Sequence, residues 1–148
     1  METIRKGIDA IGLTVAFACH DGQGNYLLAK RGVNCRDEHG TWDFGSGGVE
    51  IGDSIVDTLT KEIKEEYCAD VIEHQFLGYR DIFREQNGVK THWLALEFKV
   101  RIDREQARNG EPHKLEEIGW FALDELPFPL HSQLPAFIEQ NREILGVV

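Results

Sequence analysis

The sequence is poor in cysteine and has no long hydrophobic run. Its three cysteines are scattered over 148 residues and include no C-x-x-C pair of the kind that holds zinc or exchanges disulfides. Nowhere do roughly 18 apolar residues follow one another, as a membrane-spanning helix requires. The charged N-terminus is not followed by an apolar run that ends in a cleavage site. We therefore expect a cytoplasmic protein with reduced thiols and no membrane partner.

Positive charge is also scarce. The chain carries 16 basic and 26 acidic residues, which gives a formal net charge of −10. Because contact with nucleic-acid phosphates draws on clustered lysine and arginine, we expect no nucleic-acid partner. A small phosphorylated ligand is compatible with this charge if metal ions offset the acidic site. The length suits a single domain over residues 1–148 and is too short for two ordinary ones.

The most informative stretch is a glycine-rich loop followed by an acidic helix, over residues 45–69. Glycine lets the loop take positive φ angles and lets its backbone approach a ligand closely. Ser54, or Asp53 before it, is suited to cap the N-terminus of the helix. Apolar residues at i, i+4 and i+8 predict one buried stripe, which consists of Ile55, Leu59 and Ile63.

Three glutamates share the other surface of this helix. Glu62, Glu65 and Glu66 stand at positions i, i+3 and i+4, so their carboxylates are neighbours and repel one another. A hard divalent cation such as Mg²⁺ or Mn²⁺ takes oxygen ligands and bridges them to substrate phosphates. The alternative is an ordinary solvated surface, on which Lys61 and Glu65 form an i, i+4 ion pair.

The loop and the helix together resemble the Nudix box. That pattern runs Gly, five residues, Glu, seven residues, Arg-Glu, an aliphatic residue, any residue, Glu-Glu, any residue, Gly and an aliphatic residue. Counted from Gly47, every spacing is kept and the helix supplies all three glutamates. Three identities differ from the pattern, namely Asp53 for Glu, Lys61 for Arg and Cys68 for Gly.

The three departures have different expected consequences. In the family, the Arg holds the catalytic glutamates through a planar fork of donors. Lys61 offers a single charge on a flexible stem, so we expect weaker positioning and a slower enzyme. Asp53 keeps the charge with one methylene fewer, which is a mild change. Cys68 replaces the glycine that usually ends the helix in a left-handed conformation, so it must leave the helix differently or accept strain.

The resemblance implies roles for particular residues. By this resemblance, the metal ligands would be the carbonyl of Gly47 or Gly48 and the carboxylates of Glu50, Glu62, Glu65 and Glu66. The catalytic residues would be the same three helix glutamates, and Lys61 would position them. In nucleotide-hydrolysing members, a similar Glu-Pro…Glu…Trp run precedes the last strand and supplies a further glutamate. Glu116 is the first choice for this role and Glu117 the second, with two exposed acids as the alternative.

Four residues are candidates for contact with the substrate. Arg31 ends a predicted strand, and Arg36 lies in the loop that follows it. In the resemblance this loop lies beside the substrate, and the alternative is that both arginines are solvated surface charges. Phe44 could stack on a base or pack in the core. His92 belongs to a strand expected over the binding cleft, and it either contacts a ligand or lies at the surface. The same choice between ligand contact and packing applies to its neighbour Trp93.

The remaining patterns predict a layered α+β domain. Strand-like patterns cover residues 8–19, 26–31, 41–44, 71–84 and 91–100, and Asn87-Gly88 predicts a hairpin turn. A charged surface loop is expected over residues 101–110, and a final helix is expected from Ser132. Its packing stripe consists of Leu134, Phe137, Ile138, Ile144 and Leu145. The resemblance implies a Nudix-type α/β/α sandwich, with a mixed sheet between the Nudix-box helix and this C-terminal helix.

The function implied by the resemblance is hydrolysis. A metal-dependent pyrophosphohydrolase with Mg²⁺ or Mn²⁺ would cleave a nucleoside diphosphate linked to another moiety. The run from Glu111 to Trp120 favours a nucleoside triphosphate, including a damaged or non-standard one. The alternative is a catalytically weak or inactive Nudix-fold protein that binds nucleotides or regulates, which the departures at Asp53, Lys61 and Cys68 motivate. Dimerisation is common among such proteins, so a homodimer is compatible with the resemblance.

Overall fold

The computed structural model describes residues 3–146 of the chain. The strands are β1 Gly12–His20, β2 Asn25–Arg31, β3 Trp42–Asp43, β4 Ser46–Gly48, β5 Val71–Gln86, β6 Val89–Ile102 and β7 Leu115–Ala122. The helices are α1 Ile55–Tyr67, α2 Leu134–Gln140 and α3 Arg142–Leu145. Within the described residues, no helix has the length and apolar character needed to cross a membrane.

The strands of the described region form one mixed sheet. Its order is β3-β2-β1-β6-β5, with β4 paired to β1 and β7 paired to β2. The central strands β1 and β6 are parallel, in register from Gly12 opposite Trp93 to His20 opposite Arg101. The other pairings are antiparallel. The longest of them joins β5 to β6 through the hairpin turn predicted at Asn87-Gly88.

Helices cover both faces of this sheet. Successive strand residues point to opposite sides, so the sheet has an apolar surface on each side for a helix to bury. On one side, Val15 and Phe17 of β1 belong to a buried cluster with Leu59 and Ile63 of α1. The cluster on the other side joins the sheet to α2 and α3, and its buried members are Ala18, Tyr26, Leu28, Trp42, Phe44, Leu134, Phe137 and Leu145. The predicted α/β/α sandwich and the buried stripe of α1 are therefore confirmed.

The two ends of α1 resolve two questions left by the sequence. Ser54 caps the N-terminus, since its Oγ accepts a hydrogen bond from the Asp57 N–H at 3.0 Å. At the other end, Cys68 takes the left-handed conformation with φ 59° and donates its N–H to the carbonyl of Lys64 at 3.0 Å. The helix thus ends as a glycine would end it, with a residue whose Cβ disfavours that conformation.

The C-terminal helix differs from the prediction because it is divided in two. The break falls at Asn141, between α2 and α3. The Asn141 side-chain amide donates to the carbonyl of Phe137 at 2.9 Å and to Oε1 of Glu97 at 3.3 Å. A short polar side chain that bonds to the backbone competes with the regular helical pattern. The apolar spacing continues across this residue, so the sequence alone predicts one uninterrupted helix.

The starts of the first and the last strand also differ from the prediction. The first strand begins at Gly12 rather than at residue 8, because residues 5–10 form a turn in which the Gly7 N–H donates to the carbonyl of Ala10 at 2.7 Å. The last strand begins at Leu115, so Glu116 lies within β7 rather than in the loop before it. This second difference bears directly on the candidate site.

Candidate active site

Two glutamates of α1 lie against two glycines of the preceding loop. A Cβ built on Gly47 would lie 2.2 Å from Cδ of Glu62, and one on Gly45 would lie 3.1 Å from Oε2 of Glu66. Gly45 also has a φ of +142° and would place a Cβ 2.5 Å from the ring of Phe17. The absence of side chains at these positions is what lets both carboxylates approach the loop backbone.

Glu66 is the most unusual carboxylate of the described residues. Its Oε2 is buried and has no hydrogen-bond partner. Burial raises the pKa of Glu66 well above its usual value, and the negative charges of Glu111, Glu62 and Asp43 raise it further. A buried carboxylate oxygen without a donor, among other carboxylates, is costly unless a cation or a proton occupies the space beside it.

Glu62 and Glu65 extend the same acidic group along the helix. Glu62 is half-buried, and burial raises its pKa, followed by the negative charge of Glu65, while the positive charge of Lys61 acts in the opposite direction. Glu65 is exposed one turn away on the outer edge of the group. The structure therefore brings together the three helix glutamates that the sequence predicts.

A fourth carboxylate, Glu111, enters this group from the loop before β7. The Gly110 N–H donates to the carbonyl of Glu66 at 2.8 Å, and the Arg108 N–H donates to the carbonyl of Tyr67 at 2.9 Å. A Cβ on Gly110 would lie 2.1 Å from the carbonyl oxygen of Glu65, so only glycine fits there. Because this loop satisfies the terminal carbonyls of α1, it fixes Glu111 beside the helix glutamates.

Glu116 and Glu117, the glutamates that the sequence predicts for this role, lie elsewhere. Glu116 is exposed on β7, and its Oε2 lies 3.5 Å from Nζ of Lys30. Glu117, its neighbour, is exposed opposite Lys30 in the ladder between β2 and β7. Neither residue lines a cavity described below. The Glu-Pro pair that begins at Glu111 is the signal that could have identified this residue, whereas the resemblance points to the glutamates that follow it in the Glu-Pro…Glu…Trp run.

Two adjoining cavities open beside the carboxylates. The smaller, of about 300 Å³, is lined by Glu66 and Glu111 together with Lys114. The larger, of about 540 Å³, lies over the face of the sheet that carries α2. Five residues line both cavities and form their common wall, namely Arg31, Arg36, Asp43, Gly45 and Ser46. A ligand with a polar end at the glutamates could therefore extend into the larger cavity.

Arg36 differs from the other arginines that line the larger cavity. Arg31 and Arg84 donate to the buried carboxylate of Asp37 at 3.0 and 3.1 Å. Arg80 donates to Glu97 at 3.1 Å. Within residues 3–146, Arg36 makes no hydrogen bond or ion pair, and it is exposed. It is thus the lining guanidinium that is available to an anionic ligand.

Asp37, Glu38 and His131 offer ligand atoms that lie within 4.8 Å of one another. Both oxygens of Asp37 accept hydrogen bonds from arginines, and Oε2 of Glu38 accepts one from Arg84 at 2.8 Å. The guanidinium groups of Arg31 and Arg84 already neutralise these carboxylates, and their positive charge would repel a metal ion. This group therefore holds the loop 32–40 against β5 and the C-terminal segment.

The aromatic candidates have different positions. Phe44 is 1% exposed and packs against Phe137 at a centroid distance of 5.4 Å, although its edge reaches the larger cavity. His92 lies outside that cavity, where Nε2 is 2.8 Å from Oδ1 of Asp81 and the ring stacks on Phe83 at 4.4 Å. Its neighbour Trp93 lines the cavity instead.

The indole ring of Trp93 lies close against two glycines. A Cβ on Gly7 would lie 2.2 Å from Nε1 of Trp93, and one on Gly12 would lie 2.4 Å from its Cε3. The turn that contains Gly7 is itself attached to β6, because the His92 N–H donates to the Gly7 carbonyl at 2.8 Å. The indole therefore forms a fixed wall of the larger cavity.

The two remaining predicted residues lie at the edge of the site. Glu50 is exposed and its Oε2 accepts a hydrogen bond from Nζ of Lys6 at 3.1 Å. Lys61 lies at 3.8 Å from Oδ2 of Asp53 rather than in contact with a glutamate carboxylate. Neither residue lines either of the two cavities described above. Glu50 is thus paired with Lys6 away from the acidic group, whereas Lys61 acts on Glu62 through its charge and, among the described residues, forms no ion pair with it.

Comparison with known proteins agrees with this fold. The NUDIX domain family model matches residues 11–141. A MutT NUDIX hydrolase from Burkholderia pseudomallei is 29% identical with a TM-score of 0.77, and the match covers 87% of this chain and 96% of that one. The chain therefore belongs to the Nudix family, and it is a hydrolase that acts on phosphoric anhydride bonds.

Two more distant structures share the fold. The NUDIX domain of NrtR from Shewanella oneidensis, complexed with ADP ribose, is 18% identical with a TM-score of 0.72, covering 93% of this chain and 90% of that one. A NUDIX hydrolase from Nitrosomonas europaea is 19% identical with a TM-score of 0.69, covering 90% of this chain and 89% of that one.

Proposed function

We propose that this protein hydrolyses a nucleoside diphosphate linked to another moiety, with a nucleoside triphosphate, standard or damaged, as its substrate. The observation that carries the proposal is the buried, unpartnered Oε2 of Glu66 beside a cavity that continues into a larger, partly aromatic one. The first feature suits a cation and a phosphate chain. The second suits a nucleoside, because a ligand pocket combines apolar walls with a few polar groups.

The donor set around Glu66 fits Mg²⁺ or Mn²⁺. Nudix hydrolases generally use a divalent metal, and hard cations of this kind take carboxylate and carbonyl oxygens. The residues that would hold the ion are Glu62, Glu65, Glu66 and Glu111, with the backbone carbonyl of Gly47. The bound metal would offset the charge of the phosphate oxygens and acidify a water molecule. The raised pKa values of Glu62 and Glu66 agree with a site built to receive positive charge.

The proton transfer and the contacts with the substrate are assigned to side chains of this protein. A carboxylate at Glu111 would orient a water molecule and accept its proton as the water oxygen attacks a phosphorus atom. The bond from that phosphorus to the bridging oxygen then breaks, and a nucleoside monophosphate and pyrophosphate leave. Arg36, the unpaired guanidinium on the common wall, would contact the phosphate chain. Trp93 would stack on the base in the larger cavity.

The test is turnover by the wild-type protein and a Glu66→Gln variant. Pyrophosphate and phosphate release would be measured with Mg²⁺ or Mn²⁺ on nucleoside triphosphates, nucleotide sugars, ADP ribose and dinucleoside polyphosphates. We expect release from triphosphates and a loss of at least about 100-fold in the variant. Glu139→Gln is the matched control, since Glu139 is exposed on α2 and lies outside both cavities.

A second readout separates the proposal from its alternative. Mn²⁺ binding, measured by calorimetry without nucleotide, should weaken in Glu66→Gln and stay unchanged in Glu139→Gln. Thermal stabilisation by nucleotides with no turnover across the panel would replace the hydrolase proposal with the nucleotide-binding or regulatory protein. Turnover that is equal in the wild type and in Glu66→Gln would remove the assigned role of Glu66.

A further inference from the structure

Gln133 lines the larger cavity at the first turn of α2, but its side chain does not cap that helix. At this position, side chains usually accept hydrogen bonds from the free N–H groups of the helix. The backbone is fixed separately, because the Gln133 N–H donates to Nδ1 of His131 at 3.1 Å. The Gln133 amide is thus available for another use.

Arg80 fixes the orientation of this amide. Its Nη1 donates to Oε1 of Gln133 at 2.9 Å, and its Nη2 donates to the backbone carbonyl of the same residue at 3.3 Å. A guanidinium can only donate, so the oxygen of the amide must face it and the NH₂ group must point elsewhere. Among the described residues, Nε2 of Gln133 has no partner, and it is not buried.

Arg80 is fixed in turn by a buried carboxylate. Glu97 is 0% exposed, and its Oε2 accepts a hydrogen bond from Nε of Arg80 at 3.1 Å. Its other oxygen accepts one from the Asn141 side chain at 3.3 Å. Because removal of either partner would leave a buried charge unpaired, Arg80 has one strongly preferred position. The chain Glu97–Arg80–Gln133 therefore determines which end of the amide faces the cavity.

We propose that Gln133 is a specificity-determining residue, whose NH₂ group donates a hydrogen bond to a carbonyl oxygen of the substrate's base. Arg80 acts as a positioning residue. This proposal rests on the proposed function and names its substrate class: bases with an exocyclic oxygen, such as guanine, hypoxanthine and uracil, are preferred over bases with an amino group at that position. An amino group facing the Gln133 NH₂ would leave two donors unpaired, which a binding site rejects strongly.

The test compares two variants with the wild type by the dissociation constants of GMP, IMP and UMP against those of AMP and CMP. Gln133→Glu replaces the donor by an acceptor. Arg80→Lys keeps a cation for Glu97 but removes the two-point contact that orients the amide. Gln75→Glu is the matched control, because it makes the same chemical change at an exposed site of β5 outside both cavities.

We expect the wild type to prefer the oxo bases by at least about fivefold, as one hydrogen bond allows. The preference should reverse in Gln133→Glu, approach 1 in Arg80→Lys and stay unchanged in Gln75→Glu. A purely structural role would weaken binding of all five nucleotides equally. An unchanged preference in both test variants, with melting temperatures showing that they fold, would overturn the proposal.

The binding ratio also separates this proposal from the hydrolase proposal. If the protein binds nucleotides without turnover, the proposed activity fails while the dissociation constants still decide the role of Gln133. If turnover is found and the ratio does not respond to Gln133→Glu, the activity stands and the specificity proposal fails. Where turnover is measurable, kcat/KM ratios for GTP against ATP should shift in the same direction as the binding ratios.

Discussion

The ammonium of Lys61 lies 3.8 Å from the carboxylate of Asp53. These are two of the three positions at which the chain departs from the Nudix pattern, and they pair with each other across the start of α1. Both side chains are about half exposed, so the pair adds little stability, roughly 0.2–1 kcal/mol. The pair also identifies the partner of Lys61, since among the described residues its ammonium forms an ion pair with Asp53 and none with Glu62.

Lys61→Arg should therefore raise the rate. A guanidinium can donate to Asp53 and towards Glu62 at the same time, whereas the lysine ammonium is a point charge. We expect kcat to rise by about two- to fivefold with little change in KM, which is the pattern of better-positioned catalytic groups. Asp53→Glu, alone and combined with Lys61→Arg, measures the coupling between the two positions. An unchanged kcat in Lys61→Arg would mean that the lysine is not what limits glutamate positioning.

The contact between Gly47 and Glu62 gives a second prediction. A Cβ at Gly47 would collide with the Glu62 carboxylate at 2.2 Å, so Gly47→Ala must displace that carboxylate. We expect kcat to fall by about 10- to 100-fold, as a displacement near 1 Å commonly costs. Gly48→Ala is the control, since a Cβ there meets nothing within 4 Å. Similar losses in both variants would indicate a general effect on the loop instead.

Local patterns predicted much of this structure, and the misses have physical reasons. The cap at the start of α1, predicted at Ser54 or Asp53, the buried stripe of this helix and the hairpin at Asn87-Gly88 depend on residues close in sequence, which a pattern records. Glu111 depends on Gly110 reaching the end of α1 from a loop more than forty residues later. The break at Asn141 depends on a contact with Glu97 on β6. Contacts of this kind arise from tertiary packing and leave no periodic signal.

Glu111 and Glu116 can be distinguished by paired substitutions. Glu111→Gln removes the charge beside Glu66 and should lower kcat by about 100-fold or more if Glu111 accepts the proton from water. Glu116→Gln removes only an exposed partner of Lys30 and should leave kcat within about twofold. Initial rates at saturating nucleotide and metal would measure both. The opposite ranking would return the role to Glu116, the residue that the sequence favoured.

Cys68 offers a prediction about stability that is separate from catalysis. It holds φ 59° at the end of α1, where a side chain costs about 1 kcal/mol relative to glycine. Cys68→Gly should therefore raise the free energy of unfolding by about 0.5–1 kcal/mol, after the greater freedom of glycine in the unfolded chain is deducted. The corresponding rise in melting temperature is about 1.5–3 °C for a domain of this size. Cys68→Ala keeps the Cβ and the left-handed conformation, so its melting temperature should not rise. If Cys68→Ala stabilises the protein as much as Cys68→Gly, the gain comes from removing the thiol rather than from relieving the backbone.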